Sequence, residues 1–104
     1  MPMFDVVTEP TTGRIDLVVE FDLSCVAQFR DACAVIVADG PAEVVVDLAR
    51  LRFIDAAGIG SICELGNTLA ARKTSLRVVN ADARISKVFF LCGLDTMLSG
   101  LTGP

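Results

Sequence analysis

The chain has 104 residues and a mass of 11.0 kDa, which predicts one domain over residues 1–104. Hydrophobic residues make up 53% of it, yet no apolar run approaches the roughly 20 residues of a membrane-spanning helix, and the start Met-Pro-Met-Phe-Asp lacks the features of a signal peptide. Thirteen acidic residues against nine basic ones give a net charge of −4, the opposite balance from a nucleic-acid-binding domain. We therefore predict a cytoplasmic protein with no nucleic-acid partner and no membrane insertion.

The cysteine and histidine content argues against a metal site or an enzyme. Cys25, Cys33, Cys63 and Cys92 match no zinc-binding, redox or disulfide spacing, and the chain has no histidine. We expect reduced cysteines among apolar neighbours. We expect no enzyme, because no nucleophile and base can be paired from this residue list. We expect no cofactor and no metal, because the candidate carboxylates have no histidine and no third ligand beside them.

The first half of the chain predicts a hairpin, a helix and a central strand. Phe4 to Thr8 forms a short strand, and a turn at 9–13 joins it to a second strand. Alternation predicts a buried face of that second strand made of Ile15, Leu17, Val19 and Phe21. Asp22 or Ser24 caps a helix that residues 39–41 stop. The inward face of this helix is predicted to be Val26, Phe29, Cys33 and Ile36 or Val37.

The second half predicts two further helices around one more strand. Residues 44–46 read as a strand buried on both faces, followed by a loop over 47–54. Asp55 caps a helix from Ala56 to about Arg72, with Ser61 and Leu65 on a face that the core does not use. The core stripe of this helix is predicted as Ile59, Ile62 or Cys63, Gly66, and Leu69 or Ala70.

The chain is predicted to close with a strand over 76–79 and a third helix. Asp82 caps this helix, and Gly93 ends it in the left-handed conformation. Its inward face is predicted as Ile85, Val88 or Phe89, and Cys92, with Phe90 and Leu91 pointing away from the core.

The order ββαβαβα predicts an α/β fold with a mixed β-sheet and helices packed against it. Functional sites of such sheets lie beyond the carboxyl ends of the parallel strands. This rule brings Asp22, the loop 47–54 and the turn 55–58 into one neighbourhood.

The segment Val44 to Gly60 closely resembles the central motif of STAS domains, in which a strand ends in Asp-Leu and Phe-Ile-Asp precedes Ser-Ser/Thr-Gly-Leu-Gly. Residues 19–22 (Val-Glu-Phe-Asp) stand at the place of the family's Gly-Glu-Leu-Asp, and residues 92–95 (Cys-Gly-Leu-Asp) at that of its closing Ser/Thr-Gly-Leu-Asp. The resemblance implies a STAS domain of the anti-sigma factor antagonist type. Such a protein regulates transcription by binding an anti-sigma factor that is a GHKL-type serine kinase.

In similar antagonists the kinase phosphorylates the second hydroxyl residue of Asp-Ser-Ser-Gly and is released as a result. This sequence has Ala56 and Ala57 there, so the modified-residue position, Ala57, is expected to stay unmodified. Three interpretations remain open: a permanently binding-competent antagonist, a scaffold or transporter-associated subunit without a switch, or control by another route. The nearest hydroxyl for such a route is that of Ser61, for which a solvated surface position is favoured.

The candidate site is therefore a protein-binding surface at the start of the second helix. Asp22 and Asp55 can serve as helix caps, as partner contacts, or as both. A weak homodimer is a further possibility. The residues expected to bind the partner are Asp22, Phe53, Asp55, Ala56, Ala57, Gly58, Ile59, Ser61 and Leu65.

Overall fold

The structure is a computed structural model that describes residues 4–8 and 12–98, and it has the predicted order ββαβαβα. Two 3₁₀ turns, Leu23–Cys25 and Asp95–Met97, follow the second strand and the third helix. The strands are β1 (Phe4–Thr8), β2 (Thr12–Phe21), β3 (Glu43–Ile54) and β4 (Ser75–Val79), and the helices are α1 (Val26–Ala38), α2 (Ala56–Ala71) and α3 (Ala83–Leu91).

The four strands form one mixed sheet in the order β1-β2-β3-β4. The hairpin β1–β2 is antiparallel, while β2, β3 and β4 run parallel. Helices α1 and α2 connect neighbouring parallel strands and pack against each other. Right-handed crossovers place both helices on the same face of the sheet. The sheet residues buried on that side include Ile15, Leu17, Val44, Val46 and Val78.

The opposite face of the sheet carries a charged network around Asp47. This carboxylate is only 6% exposed. It pairs with the guanidinium of Arg14 and accepts hydrogen bonds from the Asn80 amide at 3.1 and 3.2 Å and from the Ala49 backbone N–H at 2.8 Å. These donors stabilise the buried carboxylate. Because they lie on β2, on β3 and at the end of β4, the same hydrogen bonds hold the three strands together.

Strand β3 is longer than predicted, because residues 47–54 are strand and not loop. Its pairing with β2 continues to Phe21 and Ile54, whereas the pairs with β4 end at Asp47 and the pairs of β1 with β2 end at Leu17. Residues 18–21 and 48–54 therefore form a two-stranded extension, here called the ribbon. Leu48, Leu51 and Ile54 are all buried although they are three residues apart, whereas a regular strand buries every second residue. Two register shifts in the pairing of β2 with β3 account for this spacing.

Val19 departs from the predicted alternation of β2. It was expected on the buried face, but its side chain is 50% exposed and its φ is 67°. A register shift follows it, since Val19 pairs with Leu51 and Glu20 already pairs with Phe53. The irregularity accounts for the wrong prediction, because an irregular residue takes its side chain out of the period of two.

The end of α3 is partly as predicted. Asp82 caps the helix by accepting from the Ile85 N–H at 2.8 Å, and Gly93 has a φ of 74°. Phe90 and Leu91 are exposed, as expected, but so is Cys92, which was expected to face inward. The helix ends at Leu91, so the inward stripe stops at Phe89 and Leu94 packs on the core in place of Cys92.

All four cysteines are free thiols, and two of them, Cys25 and Cys33, are buried. Burial raises the pKa of the Cys33 thiol to about 12, with a smaller contribution from Glu64. A thiol held in this neutral form is a packing group and a poor nucleophile at neutral pH.

Candidate docking site at the start of helix α2

Asp55 joins three elements at the end of the ribbon. One carboxylate oxygen accepts from the Gly58 N–H at 2.8 Å, which caps α2, and the other accepts from the Leu23 N–H at 3.3 Å. The Asp55 N–H donates to the Phe21 carbonyl at 3.3 Å. The Asp55 carboxylate therefore joins the 3₁₀ turn to the first turn of α2, and its backbone N–H adds the end of β2, at the carboxyl edge of the parallel strands.

Asp22 caps the neighbouring 3₁₀ turn by accepting from the Ser24 N–H at 3.0 Å. The hydroxyl of Ser24 is the main cause that lowers the pKa of Asp22 below its usual value. The folded protein therefore favours the carboxylate form, and this contribution to stability is lost only as the pH falls through the lowered pKa. The edge therefore carries two carboxyl groups, those of Asp22 and Asp55.

No group of three or more His, Cys, Asp or Glu side chains in residues 4–8 and 12–98 is placed to hold a metal ion. The two carboxylates at the edge accept hydrogen bonds from backbone N–H groups. What the arrangement can do chemically is to fix backbone and to present negative charge to a partner.

The first turn of α2 contains two glycines with opposite surroundings. A Cβ atom added to Gly58 would lie 2.5 Å from the Phe21 carbonyl oxygen and 2.9 Å from a side-chain carbon of Ile54. At Gly60 the same atom would meet nothing within 4 Å. Gly58 therefore allows α2 to approach the sheet, whereas Gly60 leaves a flat, open place on the outer side of the helix.

The outer side of this turn is lined by methyl groups. Ala56 and Gly60 are exposed and Ala57 is partly exposed. Phe53 and Leu23, on the ribbon end and the 3₁₀ turn, are 50% and 72% exposed. We call these residues the entrance surface: Leu23, Phe53, Ala56, Ala57 and Gly60, with the carboxylates of Asp22 and Asp55 beside them.

Four residues of the sequence-predicted site lie inside the protein. Gly58 is buried, and Ile59, Ser61 and Leu65 are 2%, 5% and 4% exposed. The prediction that Ser61 and Leu65 occupy an open face of α2 is wrong, because α1 packs on that side of the helix. The Ser61 hydroxyl donates to the Ala57 carbonyl at 3.0 Å, so the favoured surface position of Ser61 is wrong as well.

Two residues of the entrance surface were not among the predicted partner-binding residues. Leu23 directly follows a capping aspartate, and Gly60 lies two residues after the buried Gly58. The sequence signal for Leu23 is a large apolar residue inside a capping turn, where burial in the core is not expected. For Gly60 it is a glycine within a helix, a position that disfavours glycine on conformational grounds.

A separate groove of about 360 Å³ runs between α1 and α2. The buried side chains of Ser61 and Leu65 line its floor, together with Phe29 and Cys33. Arg30 and Glu64 form an ion pair of 2.8 Å at its exposed rim. The groove thus belongs to the α1–α2 contact, and it begins one helical turn after Ala57, at Ser61.

A family model described as "Mlab, STAS domain" matches residues 4–100 of the chain. The chain belongs to the STAS domain family. The predicted α/β fold and the suspected family are thereby confirmed. A comparison with curated proteins finds no match, and no helix in the described part of the chain has both the length and the apolar character needed to cross a membrane.

Solved structures share the fold over most of their length. The Bacillus anti-sigma factor antagonist SpoIIAA in its unphosphorylated form has a TM-score of 0.82 at 24% identity, covering 95% of this chain and 88% of that chain. An anti-sigma factor antagonist from Mycobacterium paratuberculosis has a TM-score of 0.80 at 22% identity, with coverages of 92% and 81%. A sulfate transporter family protein from Wolinella succinogenes has a TM-score of 0.75 at 19% identity, with coverages of 91% and 76%.

Proposed function

We propose that this STAS domain is a protein-binding regulator of the anti-sigma factor antagonist type. Its partner is an anti-sigma factor that is also a GHKL-type serine kinase, and it acts in the cytoplasm by sequestering that factor and releasing a sigma factor. Two of the similar structures are anti-sigma factor antagonists by name. The observation that carries the proposal is the entrance surface, where an open apolar helix start lies beside two fixed carboxylates.

The chemistry of the entrance surface suits a packed protein interface. Its centre has only methyl groups and the backbone of Gly60, so a partner can approach without displacing a charged side chain. Asp22 and Asp55 are held by backbone N–H groups before any partner arrives. Such preorganised carboxylates lose little conformational entropy on binding.

The absence of a hydroxyl at Ala57 makes this domain a permanently binding-competent antagonist. The similar protein SpoIIAA has been solved in a phosphorylated form, and the resemblance of residues 55–58 to the motif Asp-Ser-Ser-Gly aligns its phosphorylated serine with Ala57. A phosphate at that place would add a charge of about −1.5 to −2 next to Asp55 and oppose binding. Alanine cannot receive it.

Ser61 is a poor substitute acceptor. Its hydroxyl is buried and donates a hydrogen bond to the Ala57 carbonyl. A kinase would have to separate α1 from α2 to reach it, so control through Ser61 is not part of this proposal.

Copurification tests the partner. A tagged chain expressed in the bacterium that encodes it is captured under several growth conditions, and bound proteins are identified by mass spectrometry. We expect a GHKL-type anti-sigma factor in the wild-type sample and its loss with Ala57→Asp. Recovery of no such protein with the wild-type chain under any condition would contradict the proposal.

A restored phosphoacceptor tests the role of residue 57. The purified kinase and ATP are incubated with the wild-type chain, Ala57→Ser and the matched control Ala56→Ser. We expect phosphate on Ala57→Ser alone. Labelling of the wild-type chain at Ser61, or no labelling of Ala57→Ser by a kinase that binds it, would show that residue 57 is not the silenced switch.

A second candidate function is that of a STAS subunit attached to a transporter. A sulfate transporter family protein has this fold, and the domain also matches 17% of the chain of the transporter SLC26A9 with a TM-score of 0.70. A neighbouring gene for a permease or a transport ATPase, together with copurification of its product, would favour this alternative over the first.

A further inference from the structure

Val19 has two features that are each unfavourable for the stability of the free protein. Its φ of 67° places a β-branched residue in the left-handed region, and half of its apolar side chain faces solvent. The other two such non-glycine residues of the described chain are Lys73 and Asn80, neither of which is β-branched. The family motif has glycine at residue 19, which would adopt this conformation without strain. Strained backbone of this kind concentrates at functional sites.

The position of Val19 connects it to the entrance surface. It precedes Glu20, which pairs with Phe53, and lies two residues from Phe21, whose carbonyl accepts from Asp55. Two residues of strand span about 7 Å. One side of a standard protein interface is roughly 30 Å across. A partner footprint of this size that is centred on Ala57 is wide enough to include Val19.

We propose that Val19 is a specificity-determining contact of this domain. In this proposal Val19 and Phe53 of the ribbon and Leu23 of the 3₁₀ turn, each at least half exposed, make up an apolar ridge, and the strained backbone at Val19 displays the side chain for binding. This inference rests on the proposed function, because the occupant of the ridge is the same anti-sigma factor. Val19 adds a contact that a STAS domain with glycine at this place lacks.

The charges around the ridge define the chemistry of the partner. Glu20 and Asp22 lie beside it on the β2 side, and the exposed Arg52 lies on the β3 side. The complementary surface is an apolar patch with a lysine or arginine opposite β2 and a carboxylate opposite Arg52. Such an arrangement selects among related anti-sigma factors, since a like charge at either place would oppose docking.

The test compares Val19→Ala, Val19→Gly and the control Val35→Ala, which truncates a 61% exposed valine on α1. Affinity for the purified GHKL-type anti-sigma factor of the same bacterium is measured by calorimetry, and the melting temperature by circular dichroism. We expect both Val19 variants to bind at least about fivefold more weakly, with Val35→Ala unchanged. Val19→Gly should melt above Val19→Ala, because glycine relieves the backbone strain.

Each outcome separates this inference from the function on which it rests. If both Val19 variants bind like the wild-type chain while Ala57→Asp binds weakly, the ridge is not a contact and the proposed function stands. If Val19→Gly melts below Val19→Ala, the strain argument is wrong. If the wild-type chain binds none of the GHKL-type anti-sigma factors of the cell, both the proposed function and the proposed Val19 contact are wrong.

Discussion

The inner and outer sides of the first turns of α2 differ residue by residue. Gly58 and Ile59 face the sheet and Ser61 faces α1, whereas Ala56, Ala57 and Gly60 border solvent. The inner side packs against Phe21, whereas the small groups of the outer side make no such close contact with the rest of the protein. The difference teaches that, within six residues, the outer side can be changed without disturbing the packing of the inner side, so the proposed docking can be tested separately from the fold.

A carboxylate introduced on the inner or on the outer side of α2 should give the largest difference in stability between the two sides. Ser61→Asp buries a charge in place of a 5% exposed hydroxyl, and we expect a loss of about 3 kcal/mol or more in the free energy of unfolding. Ala57→Asp is the matched control on the outer side. It places the carboxylate near a helix N-terminus and should leave stability unchanged or slightly higher. Urea unfolding measures both, and equal losses would contradict the two-sided description.

Removal of the Leu65 side chain tests the α1–α2 contact. Leu65 is 4% exposed, so Leu65→Ala should lower the free energy of unfolding by about 3 kcal/mol through lost burial and a cavity. Val35→Ala on the open side of α1 should change it by less than about 0.5 kcal/mol. If Leu65→Ala leaves the stability in thermal unfolding nearly unchanged, Leu65 is not buried in the α1–α2 contact.

The inner glycine gives a smaller loss. Gly58→Ala introduces a Cβ 2.5 Å from the Phe21 carbonyl oxygen, and α2 must shift away from β2 to accommodate it. We expect destabilisation by about 2 kcal/mol in urea unfolding. Stability equal to the wild-type chain would mean that the helix start does not depend on the close approach.

The outer glycine gives the smallest effect and the opposite sign. Gly60→Ala meets no atom within 4 Å and replaces glycine within a helix, so stability should rise by about 0.5–1 kcal/mol. The melting temperature reports this gain. A lower melting temperature would contradict the open surroundings of Gly60.

Local signals in the sequence were sufficient for most of the fold. Asp55 and Asp82 cap the helices predicted for them, and the hairpin and helices follow from short-range patterns. The predicted cap of the first helix by Asp22 or Ser24 is wrong, because Asp22 caps the 3₁₀ turn and the N-cap of α1, Cys25, has no side-chain cap hydrogen bond. The ribbon could not be predicted, because Leu48, Leu51 and Ile54 have a spacing of three, and only the register shifts of the β2–β3 pairing turn them inward.

The neighbourhood of Asp22 and Asp55 could be predicted from the sequence, but the burial of the α2 residues could not. The edge where Asp22 meets Asp55 follows from parallel topology, whereas the assignment of Ser61 and Leu65 assumed one buried stripe on α2. That helix packs against two neighbours, the sheet and α1, so its buried side is wider than a single stripe. Which helices become neighbours depends on the tertiary structure, and no local pattern encodes it.

The affinity of Ala57→Asp for the GHKL-type anti-sigma factor tests the central claim most directly. The variant retains the fold in our account and places a negative charge where the family's phosphate stands. Calorimetry with the purified factor should give at least a tenfold weaker complex than with the wild-type chain, about 1.4 kcal/mol. An unchanged affinity in a folded variant would show that the start of α2 is not the docking surface.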